Sequence, residues 1–264
     1  MSDTSTILPR VEVPAPSLVP YPSGLFSVVS PSPFTDVHAE AGVWWRGVAC
    51  GEVGLTTGTC TIDSPVEPKD YNVVCSTSFG TSFTVYARSN ESLGGSPTDE
   101  KFEAARQQLL AGEQWAVERF LWDELVASIT PVTGNAGSFQ EGVAMAEQLI
   151  AWNYGGAALL HLSRYSAIMA QDALVREGGR LLSLLGTPVV AGGGYGDNPP
   201  AVTPGQSGLV IATGPLVIFR SEIIENGRTY DQAVNSVDAL VERTYVIGWD
   251  CAAIAVLATP TPTP

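Results

Sequence analysis

Three blocks constrain this chain more than anything else in it: Leu184 to Tyr195 (Leu-Leu-Gly-Thr-Pro-Val-Val-Ala-Gly-Gly-Gly-Tyr), Leu209 to Phe219 and Glu242 to Cys251. Each is a run of β-branched and aliphatic residues broken by Gly or Pro, which is the pattern of buried strands separated by turns. Residues able to serve as acid, base or nucleophile are nearly absent from them, so they indicate a building block and not a catalyst. With 264 residues, 45% of them hydrophobic, the chain can bury a substantial core as one complex domain or two intertwined ones.

The ends read differently from the middle. Residues 1–33 carry seven prolines and three charges, and the chain finishes Ala-Thr-Pro-Thr-Pro-Thr-Pro. Such segments favour extended, polyproline-like backbone, so both ends are expected to be arms that gain order against a neighbour. The start Met1-Ser-Asp-Thr-Ser-Thr has neither a basic nor an apolar signal region, and no run reaches ~18 apolar residues, so no signal peptide and no membrane contact are expected.

Acids outnumber bases 27 to 13, giving a net charge of −14. Phosphate neutralisation supplies most non-specific DNA affinity, so a chain this acidic is not built to grip DNA. The charge suits either an ordinary solvated surface or a container wall that does not trap its contents. Cys50, Cys60, Cys75 and Cys251 lack the close pairs of a zinc or redox motif and are expected to be reduced core thiols, with a Cys50–Cys60 pair across a turn as the less favoured case. No metal and no cofactor are expected.

Residues 43–87 read as β structure, with a turn-rich middle around Gly54–Gly58 that has little core of its own and needs a neighbour to cover it. Ser96-Pro-Thr-Asp99 is a helix start, and Phe102, Leu109, Ala116 and Phe120, widened by Leu110, Val117, Leu121 and Leu125, make one apolar face. This helix should run over 96–128, a rod of ~45–50 Å. Seven acids, among them Glu113 and Glu118, are assigned to its solvent side. Gly112 interrupts it, either for close backbone packing or as a flex point.

Gly134–Gly137 reads as a break and Ser138-Phe-Gln-Glu141 as a second helix start, with the helix reaching about Trp152. A strand over 157–162, a helix from about Ser163 to Glu177 closed by Gly178-Gly179, and a strand over 180–191 complete an α/β unit. Gly192–Gly208 is expected to be an exposed loop.

Four motifs, Phe83-Thr-Val-Tyr-Ala87, Ala111 to Arg119, Gly186 to Tyr195 and Glu242 to Cys251, together with this order of elements, resemble the major capsid proteins of tailed phages, the Hong Kong 97 phage type, and in particular those of actinobacterial phages. The resemblance implies an α+β chain with an N-terminal arm (1–42), an extended β-hairpin loop (43–82), a peripheral domain (83–135 and 228–264) carrying the spine helix, and an α/β axial domain (136–227). It implies self-assembly into pentamers, with or without hexamers, of an icosahedral virion shell. That shell would form in the host cytoplasm and enclose DNA without sequence-specific binding, with portal and scaffolding or decoration proteins as partners.

In that frame Tyr195, Asp197, Asn198, Pro199 and Gln206 are the expected contacts at the capsomer axis, and Trp44, Trp45 and Lys69 the inter-subunit face of the hairpin. Lys69 is also the sole lysine there that could form the isopeptide cross-link some relatives make, although Pro65, Pro68 and Asp70 around it fit an ordinary turn. Two further readings share the architecture or the setting: an encapsulin-type nanocompartment shell and a minor head or tail protein. An enzyme is disfavoured. Gly192-Gly-Gly-Tyr-Gly-Asp197 departs from the dinucleotide fingerprint at Asp197, and no nucleophile elbow surrounds Ser163, Ser166 or Cys251 near His161, which reads as a core histidine.

Overall fold

A computed structural model of the chain describes residues 21–34, 36–47, 77–92, 98–129, 133–196, 207–231 and 236–259. The described chain begins with a short helix α1 (Leu25–Val28), a two-residue strand β1 (Ser32–Pro33), a 3-10 turn and strand β2 (Val43–Arg46). A 16-residue strand β3 (Thr77–Ser92) precedes the 31-residue helix α2 (Thr98–Ser128). Then come β4 (Gly134–Ala136), α3 (Phe139–Asn153), β5 (Leu159–Ser163), α4 (Arg164–Met169), β6 (Leu174–Glu177), β7 (Arg180–Ser183) and β8 (Pro188–Gly192). The chain closes with β9 (Gly208–Thr213), β10 (Leu216–Arg220), β11 (Ile224–Asp231), β12 (Ser236–Trp249) and β13 (Ala253–Ala258).

Two sheets organise these strands. One runs β1-β10-β12-β3-β2 with β11 beside β12; the other runs β4-β13-β9-β5-β8-β7-β6. The backbone of the first is the antiparallel pairing of β12 with β3 from Ser236↔Ser92 to Ile247↔Thr81. Strand alternation turns Phe83, Val85 and Ala87 of β3 and Val241, Tyr245 and Ile247 of β12 toward one core, which the α2 face Phe102, Ala105, Leu109, Val117, Leu121 and Leu125 completes. Phe83 stacks on Phe120 with ring centroids 3.9 Å apart, and on Tyr245 at 5.8 Å. A second core forms where α3 lays Phe139, Val143, Ala146 and Ile150 on β5, β8, β9 and β13. The start of α3 is capped as its sequence implies: Ser138 Oγ accepts from the Glu141 amide at 3.1 Å.

Several expectations are corrected here. The segment 163–177 is not one helix: α4 stops at Met169 and Leu174–Glu177 is a strand. Gly178 and Gly179, at φ +55° and +83°, form the tight turn of a hairpin closed by Glu177↔Arg180 instead of a helix cap. The strand expected over 180–191 is two strands, β7 and β8, joined by a turn at Gly186 (φ +87°). Gly134–Ala136 is a strand on β13 and not a break. Strand β13 lies inside the seven-stranded sheet between β4 and β9, while β10 lies in the other sheet, on β12. Residues 21–29 do not behave as an arm: Leu25 is wholly buried and Phe26, Val28 and Val29 pack on the first core, since these apolar side chains follow the prolines directly.

Candidate functional site: buried carboxylates and exposed aromatic faces

Among the described residues, the buried carboxylates lie on α2. Glu113 and Glu118 are both buried, contrary to their expected place on the solvent side. Five residues apart, they project about 140° from one another around the helix, so each meets a different partner set. Glu113 faces the first sheet: its Oε2 accepts from Arg243 Nη1 and from the Tyr245 hydroxyl, both at 2.8 Å, and Arg220 Nη1 lies 3.7 Å from its Oε1. Burial, then the Glu113 carboxylate, pushes the Tyr245 hydroxyl up to about 12.

Glu118 faces the other way. It accepts from the Leu25 amide at 2.8 Å, the Gly194 amide at 3.0 Å, Gln114 Nε2 at 3.1 Å and the Tyr21 hydroxyl. One carboxylate thus ties the segment before α1, the loop after β8 and α2 together. Burial and Glu118 raise the Tyr21 hydroxyl above its ordinary value. A Cβ at Gly194 would lie 2.5 Å from the Trp115 carbonyl oxygen and 2.6 Å from the Arg119 nitrogen, so the loop backbone rests directly on the helix backbone.

His161 is wholly buried on β5 between the Tyr195 hydroxyl and Thr213 Oγ1, at 3.0 Å from each. Thr213 donates its single proton to the Gly214 carbonyl at 2.7 Å, so it accepts from Nε2–H; Nδ1 then accepts from Tyr195. The neutral ring satisfies both nitrogens, and burial lowers its pKa to about 3. This arrangement holds loops together and offers no free base. Among the described residues no three His, Cys, Asp or Glu side chains gather as a metal site, and no helix is long and apolar enough to cross a membrane.

The expected contact residues are distributed unevenly. Tyr195 is placed in the interior, stacked on Trp122 at 5.1 Å and bonded to His161, and not at an exposed tip; its ring finds more apolar cover there than a loop provides. Asp197, Asn198, Pro199, Gln206 and Lys69 lie outside the described residues. Trp45 is a strut within the chain, donating from Nε1 to Asp250 Oδ1 at 2.9 Å. Trp44 is 64% exposed and stands opposite Phe79, 69% exposed, across the β2–β3 pair. Trp152, Leu184 and Leu185 are also largely exposed.

Phe79 and the Leu184-Leu185 turn escaped sequence reasoning because apolar strand residues are ordinarily read as core. Glu113 and Glu118 escaped it because charge on a helix ordinarily marks the wet side; for Glu113, its place between Leu109 and Val117 on the apolar stripe was the available signal.

Gly112 is open on its outer side: a Cβ there meets nothing within 4 Å, so close packing inside the subunit does not explain it. Cys251 is in a disulfide and is not a reduced thiol; Cys50, Cys60 and Cys75 all lie outside the described residues. The fold brings position 251 beside the start of β3, where its amide donates to Ser78 Oγ at 3.2 Å, which sequence separation alone does not reveal.

No family model and no curated protein matches the chain. Among solved structures, one from Mycobacterium phage Adephagia aligns with 96% of this chain and 96% of its own at 14% identity and a TM-score of 0.50. One from Mycobacterium phage Cain covers 94% and 93% at 14% identity and 0.50. The capsid of an empty GTA particle covers 96% and 95% at 12% identity and 0.50. Over nearly its whole length, the chain therefore has the tailed-phage capsid fold of the Hong Kong 97 phage type.

Proposed function

We propose that this chain is the major capsid protein of a tailed phage, assembling as pentamers, with or without hexamers, into an icosahedral head that encloses DNA. The observation that carries the reading is likeness in fold along nearly the entire chain to phage chains and to a GTA capsid, with little of either chain left over. These neighbours favour a phage head over a nanocompartment or a minor head or tail protein. The paired exposed aromatics Trp44 and Phe79 fit a surface that another copy covers, and they lie in the 43–82 region expected to make inter-subunit contact. The net charge of −14 fits a wall that does not hold the genome by its phosphates.

Within this reading, residues 197–206 meet symmetry copies at the capsomer axis, and Gly112 eases bending of α2 in a precursor shell. A portal, with or without a scaffolding or decoration protein, is its partner, the host cytoplasm its place of assembly and the virion its final location. Negative-stain microscopy of the purified chain tests the core of the proposal. Closed shells of uniform diameter are expected; a chain that stays monomeric at every concentration and salt condition refutes it.

A further inference from the structure

An open cleft of about 270 Å³ lies between the segment preceding α1, helix α4 and the β6–β7 hairpin, lined in part by Pro22, Ser23, Arg164, Ile168, Arg176 and Leu181. Ser23 is 2% exposed, yet its hydroxyl has no hydrogen-bond partner among the described residues. Its backbone is fixed at φ +63° and its carbonyl accepts from the Ala191 amide at 2.8 Å, so the residue is held in place beside the cleft. Native folds leave few buried hydroxyls unsatisfied, and one lining an open cleft leaves a hydrogen bond open to a group entering that cleft.

Two guanidinium groups flank it. Arg164 is held by stacking over the Tyr21 ring at 5.0 Å and donating to the Pro22 carbonyl at 3.5 Å. Neither Arg164 nor Arg176 forms an ion pair among the described residues, in a chain where acids outnumber bases 27 to 13. Ile168, 69% exposed, adds an apolar wall. The cleft therefore combines paired cations, a waiting hydroxyl and an aliphatic surface, which together suit a carboxylate flanked by aliphatic side chains.

We propose that this cleft receives the segment Pro9-Arg-Val-Glu-Val-Pro14 of a second copy of the chain, with the Glu12 carboxylate on Arg164, Arg176 and Ser23 and a neighbouring valine on Ile168. Residues 1–20 lie outside the described structure and lead into Tyr21 at the edge of the cleft. Within them Asp3 and Glu12 are the acids, and Glu12 is the one set between two valines. Pro14, Pro16 and Pro20 stand between Glu12 and Tyr21, and a stretch of ten residues has a maximum reach of about 33–36 Å, enough for an adjoining copy. The proposal rests on the shell reading above.

Charge exchange in the full-length chain tests it. Glu12→Arg alone, and Arg164→Glu with Arg176→Glu, should each lower the yield of closed particles about tenfold or more, and the combined triple variant should recover most of it. Because these side chains are solvent-facing or lie in the N-terminal segment, circular dichroism should show each variant folded. Parental yield from Glu12→Arg, or no recovery in the triple variant, overturns the proposal while leaving the shell reading intact. If the parent forms no particles, the shell reading has failed, and a labelled peptide spanning residues 7–16 is titrated onto the unassembled chain. Binding weakened about tenfold by Glu12→Gln then upholds the cleft; absence of binding, or binding indifferent to the arginine substitutions, overturns it.

Discussion

Replacing Glu118 by Ala should be among the most damaging single changes in the chain. The carboxylate is wholly buried and accepts from two buried amides, Leu25 at 2.8 Å and Gly194 at 3.0 Å, besides the partly buried Tyr21 and Gln114. A buried donor left without its acceptor costs about 1–3 kcal/mol, so the two amides together set a loss of about 2–6 kcal/mol. Tyr21 and Gln114 are nearer the surface and can turn to water, adding little. Against a total stability of about 5–15 kcal/mol the loss is large. Glu118→Gln keeps one acceptor oxygen and should cost about half as much. Urea unfolding of the unassembled chain, followed by tryptophan fluorescence, measures both. A Glu118→Ala penalty below about 1 kcal/mol, or one equal to that of Glu118→Gln, would refute the claim that this carboxylate satisfies the two amides.

Further outcomes follow from the same network. His161 is neutral when folded, with its pKa lowered to about 3, whereas the unfolded imidazole takes a proton near 6.5. Below that pH the unfolded state binds the extra proton, so stability falls as pH drops from about 6.5 toward 3, by about 1.4 kcal/mol per unit, and His161→Gln should remove this part of the slope in pH-dependent urea titrations. Tyr245 behaves in the opposite sense: its folded pKa is raised to about 12, so its contribution is complete below about 10 and is lost as pH rises from 10 to 12. Tyr245→Phe should flatten that alkaline decline. Gly112→Ala should stabilise α2 by about 1 kcal/mol because the added methyl meets open space, whereas Gly194→Ala should destabilise the subunit because its Cβ meets helix backbone at 2.5 Å; thermal unfolding distinguishes the two signs.

How much of this was legible in the sequence depended on whether the determinant was local. The long helix α2 was readable from its 3.6-residue apolar stripe and the start of α3 from its Ser138 cap, because both act within one element, while the expected start Ser96-Pro97 lies outside the described residues. The β-branched blocks were likewise readable as strands, and their order carried the fold. Segment 163–177 was misread because Gly178-Gly179 ends a helix and turns a hairpin equally well; pairing of β6 with β7 decided between them. Which sheet β10 and β13 join, and that Tyr195 turns inward to Trp122 and His161, depend on partners distant in sequence.

The burial of Glu113 and Glu118 is the clearest case. A carboxylate on a helix is cheap in water and costly in a core, so composition assigns it to solvent; Arg243, Tyr245 and the Leu25 and Gly194 amides reverse that balance, and they come from strands and loops that only the tertiary structure assembles around α2. The sequence by itself determined the long helix, the capped start of the second helix and the β-branched strand blocks whose order carries the fold. The tertiary structure decided which polar groups bind those elements together, because that choice rests on desolvation and pairing across long separations.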